Sequence, residues 1–404
     1  MAAQGPTLTK NDRDLMVTML RDIHDDVAKH YYDPAFHGID LPARYKEAEQ
    51  RLKITGSFND GIATLAEFLT QLDDSHTSFV PPNRRTRVDY GWQMAMVGDV
   101  PRIMSVDAGS DAAAKGLAPG DRVLLLNSFE PTRQNLWRLG YFYRFIRPQA
   151  QQRVSVLKPD GSARTVDVRS KVTDKPITEL GDLIAEVEEE IERARDVGVP
   201  VGSDIFVWKM RAFRTTERVD EMISRARGCR ALILDLRGNG GGASDALKEL
   251  VGRTFDREIL VASEKLRDRE ARTIARPSRN AFTGRLIVLV DSRSASAAEM
   301  FARIVQIEKR GTVLGDRTAG AVMTSHFFGH KAGAGGIAIY AASVTVGDVR
   351  MSDGGSLEKV GVQPDEILLP SASDLATSRD PVLAYAIESA GGSISAEHAA
   401  RLLK

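Results

Sequence analysis

The segment from Arg285 to Gln306 constrains the fold most strongly, because it predicts a buried strand that leads directly into a helix. Leu286–Val290 is an unbroken apolar run, which is typical of a strand covered on both faces. Apolar residues then recur at helical spacing, at Met300, Phe301, Ile304 and Val305. Ser296 lies at the turn between them, where the N–H groups of a helix point outward. This position suits either a nucleophile whose attack creates an oxyanion or an ordinary helix-capping serine.

A second predicted strand, Ala231–Leu236, runs into a turn that holds four glycines among its next six residues. Glycines permit positive φ, so that consecutive N–H groups can surround an anion. A phosphate-binding loop is disfavoured, because neither GK[ST] nor the GxGxxG spacing is present. A glycine-rich loop without a ligand is the plainer alternative.

DLRGNGGG at residues 235–242 and SASAAE at residues 294–299 together form a specific pair of motifs. The pair resembles the S41 family of serine peptidases, which includes the tail-specific or C-terminal-processing proteases and their tricorn-like relatives. The resemblance implies an α/β spiral core of the crotonase or ClpP type, which we assign to residues 173–404. The alternation of predicted strands and helices in this part of the chain also favours a mixed or parallel sheet with helices outside.

The totals indicate a multidomain α/β protein, since 404 residues are too many for one core. Lys plus Arg and Asp plus Glu each total 55, so the net charge is zero and no nucleic-acid partner is predicted. The single cysteine, Cys229, excludes intramolecular disulfides and is interpreted as a core thiol. The histidines show no ligand spacing, so we predict no metal and no cofactor.

No apolar run reaches membrane-spanning length. The first residues, MAAQGPTLTK, do not form a signal peptide. Ala2–Gln4 would be the remnant of one if an initiating Met had replaced it, which would make the protein periplasmic or secreted. The sequence alone leaves the compartment undetermined.

Residues 1–85 are predicted to form a small helical domain. Leu15, Met19, Ile23 and Val27 share one face of its first helix, and two more helices follow at Ala43–Leu52 and Gly61–Leu72.

Residues 86–172 are predicted to form a PDZ-like β domain, because VDAGSDAAAKGLAPGDRVLLLN at 106–127 resembles the centre of a PDZ domain. Such domains take an extended peptide, often a free C-terminus, along a sheet edge. The aromatic run Leu136–Phe145 either covers this groove or is a helix packed on the core. Beyond the domain we predict an acidic helix at Glu179–Ala194.

Two further segments near the C-terminus, Ile337–Val346 and Met351–Ile367, are predicted to be β-like.

One departure from the larger branch of the family concerns the catalytic base. That branch uses a lysine about two dozen residues after the nucleophile, and the corresponding segment, Gly315–Met323, has Ala321 at the position of the lysine. No lysine lies between Lys309 and Lys331, so a serine–lysine dyad is absent. Either the protein is inactive or another group activates Ser296.

Two other segments resemble the tricorn-like branch and supply such a group. LDDSHTSFVPP at 72–82 contains Ser75 and His76, and SLEKVGVQPD at 356–365 contains Glu358. The resemblance implies that His76 is the general base for Ser296, that Ser75 orients His76, and that Glu358 completes a tetrad. Histidine suits this role because it titrates near neutrality.

The same resemblance implies that the backbone N–H groups of Gly241 and Ala297 form the oxyanion hole. The predicted protein is thus a serine endopeptidase that acts on peptides or unfolded proteins, with a homo-oligomer compatible with the sequence. The alternative is a non-catalytic peptide-binding scaffold, or pseudoprotease, because Ala321 replaces the dyad lysine. An acyl-CoA enzyme of the crotonase type is disfavoured, since nothing indicates a nucleotide pocket.

Overall fold

The computed structural model describes residues 8–82, 86–174, 195–332 and 338–403. Its helices are α1 (Lys10–His30), α2 (Leu41–Ile54), α3 (Phe58–Thr70), α4 (Asp111–Ala114), α5 (Leu136–Tyr141), α6 (Thr216–Ala226), α7 (Ser244–Thr254), α8 (Ala297–Ile307), α9 (Ala372–Ala376), α10 (Pro381–Ser389) and α11 (Ala396–Leu402). The predicted helix Glu179–Ala194 lies outside the described residues.

The strands belong to four sheets, described below. In chain order they are β1 (Ser78–Val80), β2 (Thr86–Asp89), β3 (Trp92–Val97), β4 (Val100–Val106), β5 (Arg122–Leu126), β6 (Gln151–Leu157), β7 (Ala163–Arg169), β8 (Lys171–Asp174), β9 (Val197–Val201), β10 (Ile205–Lys209), β11 (Ala231–Asp235), β12 (Ile259–Leu266), β13 (Glu270–Ala275), β14 (Arg285–Val290), β15 (Gly311–Gly315), β16 (Met323–Ala332), β17 (Ala338–Arg350) and β18 (Glu366–Ile367).

The three predicted N-terminal helices are present, and a side chain caps the first turn of each, from Thr9, Asp40 and Ser57. The apolar face of α1 packs against α2, α3 and β17. Their buried residues form one cluster that also contains Phe79. The helices are therefore fastened to a sheet, and the segment 72–80 after α3 is held at their junction.

Strands β3 to β7 form an antiparallel sheet in which chain neighbours are also neighbours in space. A hairpin joins β6 to β7. The aromatic run Leu136–Phe145 is helical: α5 continues directly into one π-helical turn at Phe142–Ile146. Leu139 of α5 packs into the apolar core of this sheet. A separate two-stranded sheet pairs β2 with β8.

A six-stranded sheet, in the order β18–β15–β14–β11–β10–β9, forms the centre of the C-terminal part. It is parallel except for the β9–β10 pair, which confirms the predicted alternation of strands and helices. Its buried side chains form one cluster with α6, α7 and α8 and another with α10 and α11. Because β11, β14 and β15 are parallel neighbours, the three loops that follow them meet at one edge.

The remaining sheet has the order β1–β17–β12–β13, with β16 paired to β17. The predicted strand at Ile337–Val346 corresponds to β17, but the β-like prediction for Met351–Ile367 was wrong except at Glu366–Ile367. Turns interrupt this segment, and Gly354 and Gly361 adopt positive φ. Its backbone groups bond the loop after β15 at Lys359 and Val362, and β15 itself at Asp365.

Candidate active site

Ser296 stands at the turn between β14 and α8 with φ 54° and ψ −120°. A residue other than glycine rarely adopts positive φ, and such strain clusters at functional sites. Its N–H donates to Ala321 O at 2.9 Å and to Glu299 Oε2 at 3.1 Å. The N–H of Ala297, the first residue of α8, meets no acceptor among the described residues. It is therefore a free donor beside the Ser296 side chain.

The glycine-rich turn after β11 lies directly against this serine. A Cβ atom placed on Gly241 would lie 2.6 Å from Ser296 Cβ and 3.1 Å from the Ala297 nitrogen. Gly241 also has φ +97°, so only glycine fits there without strain. Its N–H, however, donates to Asn239 Oδ1 at 2.8 Å. Gly241 is thus at the predicted place, with its donor engaged within the turn.

The loop after β15 connects the serine to the other predicted residues; we call residues 318–322 the strap. The Ala321–Val322 peptide unit bonds at both ends: its carbonyl accepts the Ser296 N–H, and its N–H donates to Glu358 Oε2 at 2.9 Å. The position that holds a lysine in the dyad enzymes therefore contributes backbone groups here.

Ser75, His76 and Glu358 form a continuous chain of hydrogen bonds. Ser75 Oγ lies 2.7 Å from His76 Nδ1 and 2.8 Å from Glu358 Oε2. The Ser75 N–H donates to the other carboxylate oxygen at 2.9 Å. Because the hydroxyl donates to the carboxylate, its lone pair can accept the Nδ1 proton of His76. That tautomer leaves Nε2 as a proton acceptor.

Asp74 holds the backbone around His76. It is buried, and its carboxylate accepts the N–H groups of His76 and Thr77 at 2.9 and 2.7 Å. The hydroxyls of Tyr31, at the end of α1, and Thr345, in β17, also donate to it. The Asp74 carboxylate thereby joins α1, β17 and the segment that carries His76.

Burial dominates the electrostatics of the site. It lowers the pKa of His76 below the usual 6.5, against the opposing effect of Asp74, so the imidazole is neutral at neutral pH. It raises the pKa of Glu358, although hydrogen bonds from Ser75 and Val322 favour the charged form. The pKa of Glu299 rises from 4.5 to about 7 for the same reason.

The structure therefore brings every predicted site residue to one region, through Ser296, the Ala321–Val322 peptide, Glu358, Ser75 and His76 in turn. No hydrogen bond joins His76 to Ser296, although the structure describes both residues.

Comparison with known proteins decides the family. The sequence model of peptidase family S41 matches residues 204–368, which span the serine turn, the glycine-rich turn and Glu358. Residues 204–368 belong to peptidase family S41. It is 24% identical over 324 residues to a carboxyl-terminal-processing protease from a Picosynechococcus species, covering 77% of this chain and 73% of the relative. The S41 chain is accordingly a serine peptidase.

Solved structures share the fold of this S41 chain. Mature CPAF superposes with a TM-score of 0.68 at 15% identity, over 90% of this chain and 94% of CPAF. The tricorn protease superposes with a TM-score of 0.53 at 15% identity, over 93% of this chain and 36% of tricorn. These superpositions show a common mixed α/β architecture.

A cavity of about 620 Å³ adjoins the site of the S41 chain. One wall comes from Trp92, Met94 and Met96 of β3 together with Trp137 of α5. Ser75, Glu358 and residues 318–321 of the strap also line the cavity. Space of this size next to the serine turn admits several residues of a peptide.

Sequence reasoning missed two carboxylates of the S41 site, Glu299 and Asp74. Glu299 stands three residues after Ser296, the spacing of a capping box, and that pattern was a usable signal. Asp74 gave no signal in the sequence, because the five hydrogen-bond donors to its carboxylate come from α1, β17 and its own loop.

The described residues contain no group of three or more His, Cys, Asp and Glu arranged to hold a metal ion. Within the same residues, no helix combines the length and apolarity needed to cross a bilayer.

Proposed function

We propose that this S41 peptidase is an endopeptidase whose nucleophile is Ser296 and whose general base is His76. The single observation that carries the proposal is the bonded chain from His76 through Ser75 to Glu358. A neutral imidazole with an oriented Nδ1 proton is what a serine nucleophile requires of its base.

In the proposed reaction, Ser296 Oγ attacks the carbonyl carbon of the scissile peptide and gives its proton to His76 Nε2. The imidazolium then returns that proton to the leaving amine, and an ester remains on Ser296. Water, deprotonated by His76, hydrolyses the ester and restores the hydroxyl. Ser75 and Glu358 stabilise the imidazolium through Nδ1. His76 and Ser296 have to approach each other on substrate binding, as catalytic hydrogen bonds tighten in many enzyme–substrate complexes.

The oxyanion formed in each step would receive the free N–H of Ala297. The second donor, Gly241, stays a prediction, because its N–H has to leave Asn239 Oδ1 before it can serve. One such donor stabilises the transition state by about 3 kcal/mol. A shift of the glycine turn would therefore accompany activation.

The absence of the dyad lysine does not favour the scaffold alternative. Ala321 holds Ser296 through its backbone, and the proposed base comes from the other side of the strap. The relative found in the Picosynechococcus species is named a protease, so the comparison gives the scaffold no support.

We propose the three-part division into residues 1–85, 86–172 and 173–404, with the second part PDZ-like and the third a crotonase or ClpP-like core. The β3–β7 sheet, which lies within the second part, supports it. The cavity between β3, α5 and the strap fits an extended peptide or unfolded protein. A homo-oligomer and a periplasmic or secreted location stay predictions.

A direct test measures hydrolysis of fluorophore-labelled casein by the wild type, Ser296→Ala and His76→Ala. The proposal expects activity in the wild type and a loss of about 10³-fold or more in both variants. Full activity in either folded variant would assign the chemistry to other residues.

A further inference from the structure

Glu299 is buried completely, and the reaction proposed above gives it no role. Ionised carboxylates are almost never fully buried without compensation, because removal from water is costly. In this protein, hydrogen bonds from four donors compensate the burial of the Glu299 carboxylate. Oε1 accepts from Thr318 Oγ1 at 2.5 Å and from the Gly320 N–H at 2.8 Å, while Oε2 accepts from the N–H groups of Ala321 at 2.9 Å and Ser296 at 3.1 Å.

These donors belong to the strap and to the Ser296 turn, the two loops that must be aligned for the proposed reaction. Three belong to the strap, and the fourth is the backbone of the proposed nucleophile. The Thr318 hydroxyl donates to Glu299 because its own oxygen accepts the Val362 N–H at 2.6 Å. All four groups therefore present protons to the carboxylate, a pattern that only an acceptor with two oxygens satisfies.

A second carboxylate, that of Glu358, also binds the strap. Gly320 and Ala321 donate their N–H groups to Glu299, and the next residue, Val322, donates to Glu358. Gly320 packs tightly on the Glu358 segment, since an added Cβ would lie 3.0 Å from the Val360 nitrogen. The strap is thus clamped between a carboxylate of the nucleophile helix and a carboxylate of the proposed base chain.

We propose that Glu299 is a positioning residue that locks the strap to the Ser296 turn, and so aligns the nucleophile with the His76–Ser75–Glu358 chain. The inference rests on the proposed function. Glu299 itself contacts the Ser296 backbone and transfers no proton. A displacement of about 1 Å at a nucleophile costs about 10²-fold in rate, so the lock governs kcat.

The test compares Glu299→Gln with Asp365→Asn. Asp365 also accepts a backbone N–H, from Val313 at 2.8 Å, and bonds Gln306 at the far end of α8. Both substitutions replace one carboxylate oxygen with an NH₂ group facing donors. For Glu299→Gln we expect kcat for casein peptides and fluorophosphonate labelling of Ser296 to fall about 10²-fold with little change in KM. Asp365→Asn should retain the wild-type values.

Amide hydrogen exchange supplies a readout that does not depend on activity. Glu299→Gln should exchange faster at residues 318–322 and 295–297 and as the wild type elsewhere. Wild-type exchange there, or wild-type kcat, would overturn the proposal. So would equal losses of kcat in the Asp365→Asn control.

If Glu299→Gln does not fold, Thr318→Val carries the test by removing one donor to the carboxylate. Labelling about fivefold slower, the equivalent of one hydrogen bond, would support the lock, and wild-type labelling would overturn it. The proposed function and the positioning role of Glu299 can be refuted independently of each other. An unlabelled wild type would refute the proposed function, and exchange at the strap would still decide whether Glu299 locks it.

Discussion

At the scale of single residues, the Ser75 hydroxyl offers the most direct test of the proposed chain, because it bonds both His76 Nδ1 and Glu358. Ser75→Ala removes the relay and leaves the Nδ1 proton without an acceptor, so the imidazole loses its fixed tautomer. We expect kcat to fall about 10²-fold or more. Ser155→Ala is the matched control, because among the described residues that hydroxyl bonds only Thr165, on an exposed face of the β3–β7 sheet. Equal kcat in both variants would remove Ser75 from the mechanism.

The second prediction for a single residue concerns Glu299 and the pH dependence of the free energy of unfolding. Its pKa is 4.5 in an unfolded chain and about 7 in the fold, so the folded state binds the proton more tightly. The stabilisation that this group provides is present below about pH 4.5 and disappears as the pH rises through about 7, a change of about 3 kcal/mol.

Urea unfolding of the wild type and Glu299→Gln between about pH 5 and about pH 8 isolates this contribution, because other titrating groups cancel in the difference. The stability of the wild type relative to the variant should fall with rising pH. A difference independent of pH would show that the pKa of Glu299 is not raised.

At the scale of elements, the site exists because three parallel strands end side by side. β11, β14 and β15 are neighbours, and they deliver the glycine turn, the serine turn and the strap to one edge. Gly241→Ala should disrupt this contact, because the new Cβ would lie 2.6 Å from Ser296 Cβ. We expect activity to fall about 10²-fold, since the nucleophile is displaced.

Gly354→Ala provides the matched control for that substitution. Gly354 also has positive φ, +80°, but a Cβ there meets no atom within 4 Å. It therefore carries the backbone strain without the clash. If both alanine variants lose activity equally in the casein assay, strain and not contact with Ser296 is the cause.

The strands and helices that build this edge were predictable, because each has a local pattern. Leu286–Val290 is uniformly apolar, and α8 follows it with clear helical spacing. The segment Met351–Ile367 has apolar residues too, but Lys359 and Val362 within it bond the strap. These contacts depend on the fold, and the strand prediction was wrong because it considered the segment alone. β16 went unpredicted because its sequence, MTSHFFGHKA, shows no regular alternation of apolar and polar residues.

The candidate site divides in the same way. Ser75, His76, Ser296 and Glu358 were identified through a resemblance of short motifs, and the bonds among them depend on the fold. The role of the Ala321–Val322 peptide is invisible in sequence, because backbone groups carry it. Sequence reasoning noticed only that the lysine was missing there.

At the scale of the whole molecule, the N-terminal helices support the site from a distance. Tyr31 is fully buried at the end of α1, and its hydroxyl donates to Asp74 Oδ2 at 2.9 Å. Tyr31→Phe should make residues 72–80 open about fivefold more often, the equivalent of about 1 kcal/mol, as measured by amide hydrogen exchange. Tyr45→Phe is the control, because the Tyr45 hydroxyl has no hydrogen-bond partner among the described residues. Unchanged exchange in Tyr31→Phe would separate the helices from the site.

We propose that His76 activates Ser296, although the two residues lie far apart along the chain and share no hydrogen bond in this structure. Covalent labelling by a fluorophosphonate, mapped by mass spectrometry on the wild type, Ser296→Ala and His76→Ala, tests it most directly. We expect labelling at Ser296 in the wild type that disappears in both variants. Labelling of Ser296 that persists at the wild-type rate in folded His76→Ala would contradict it.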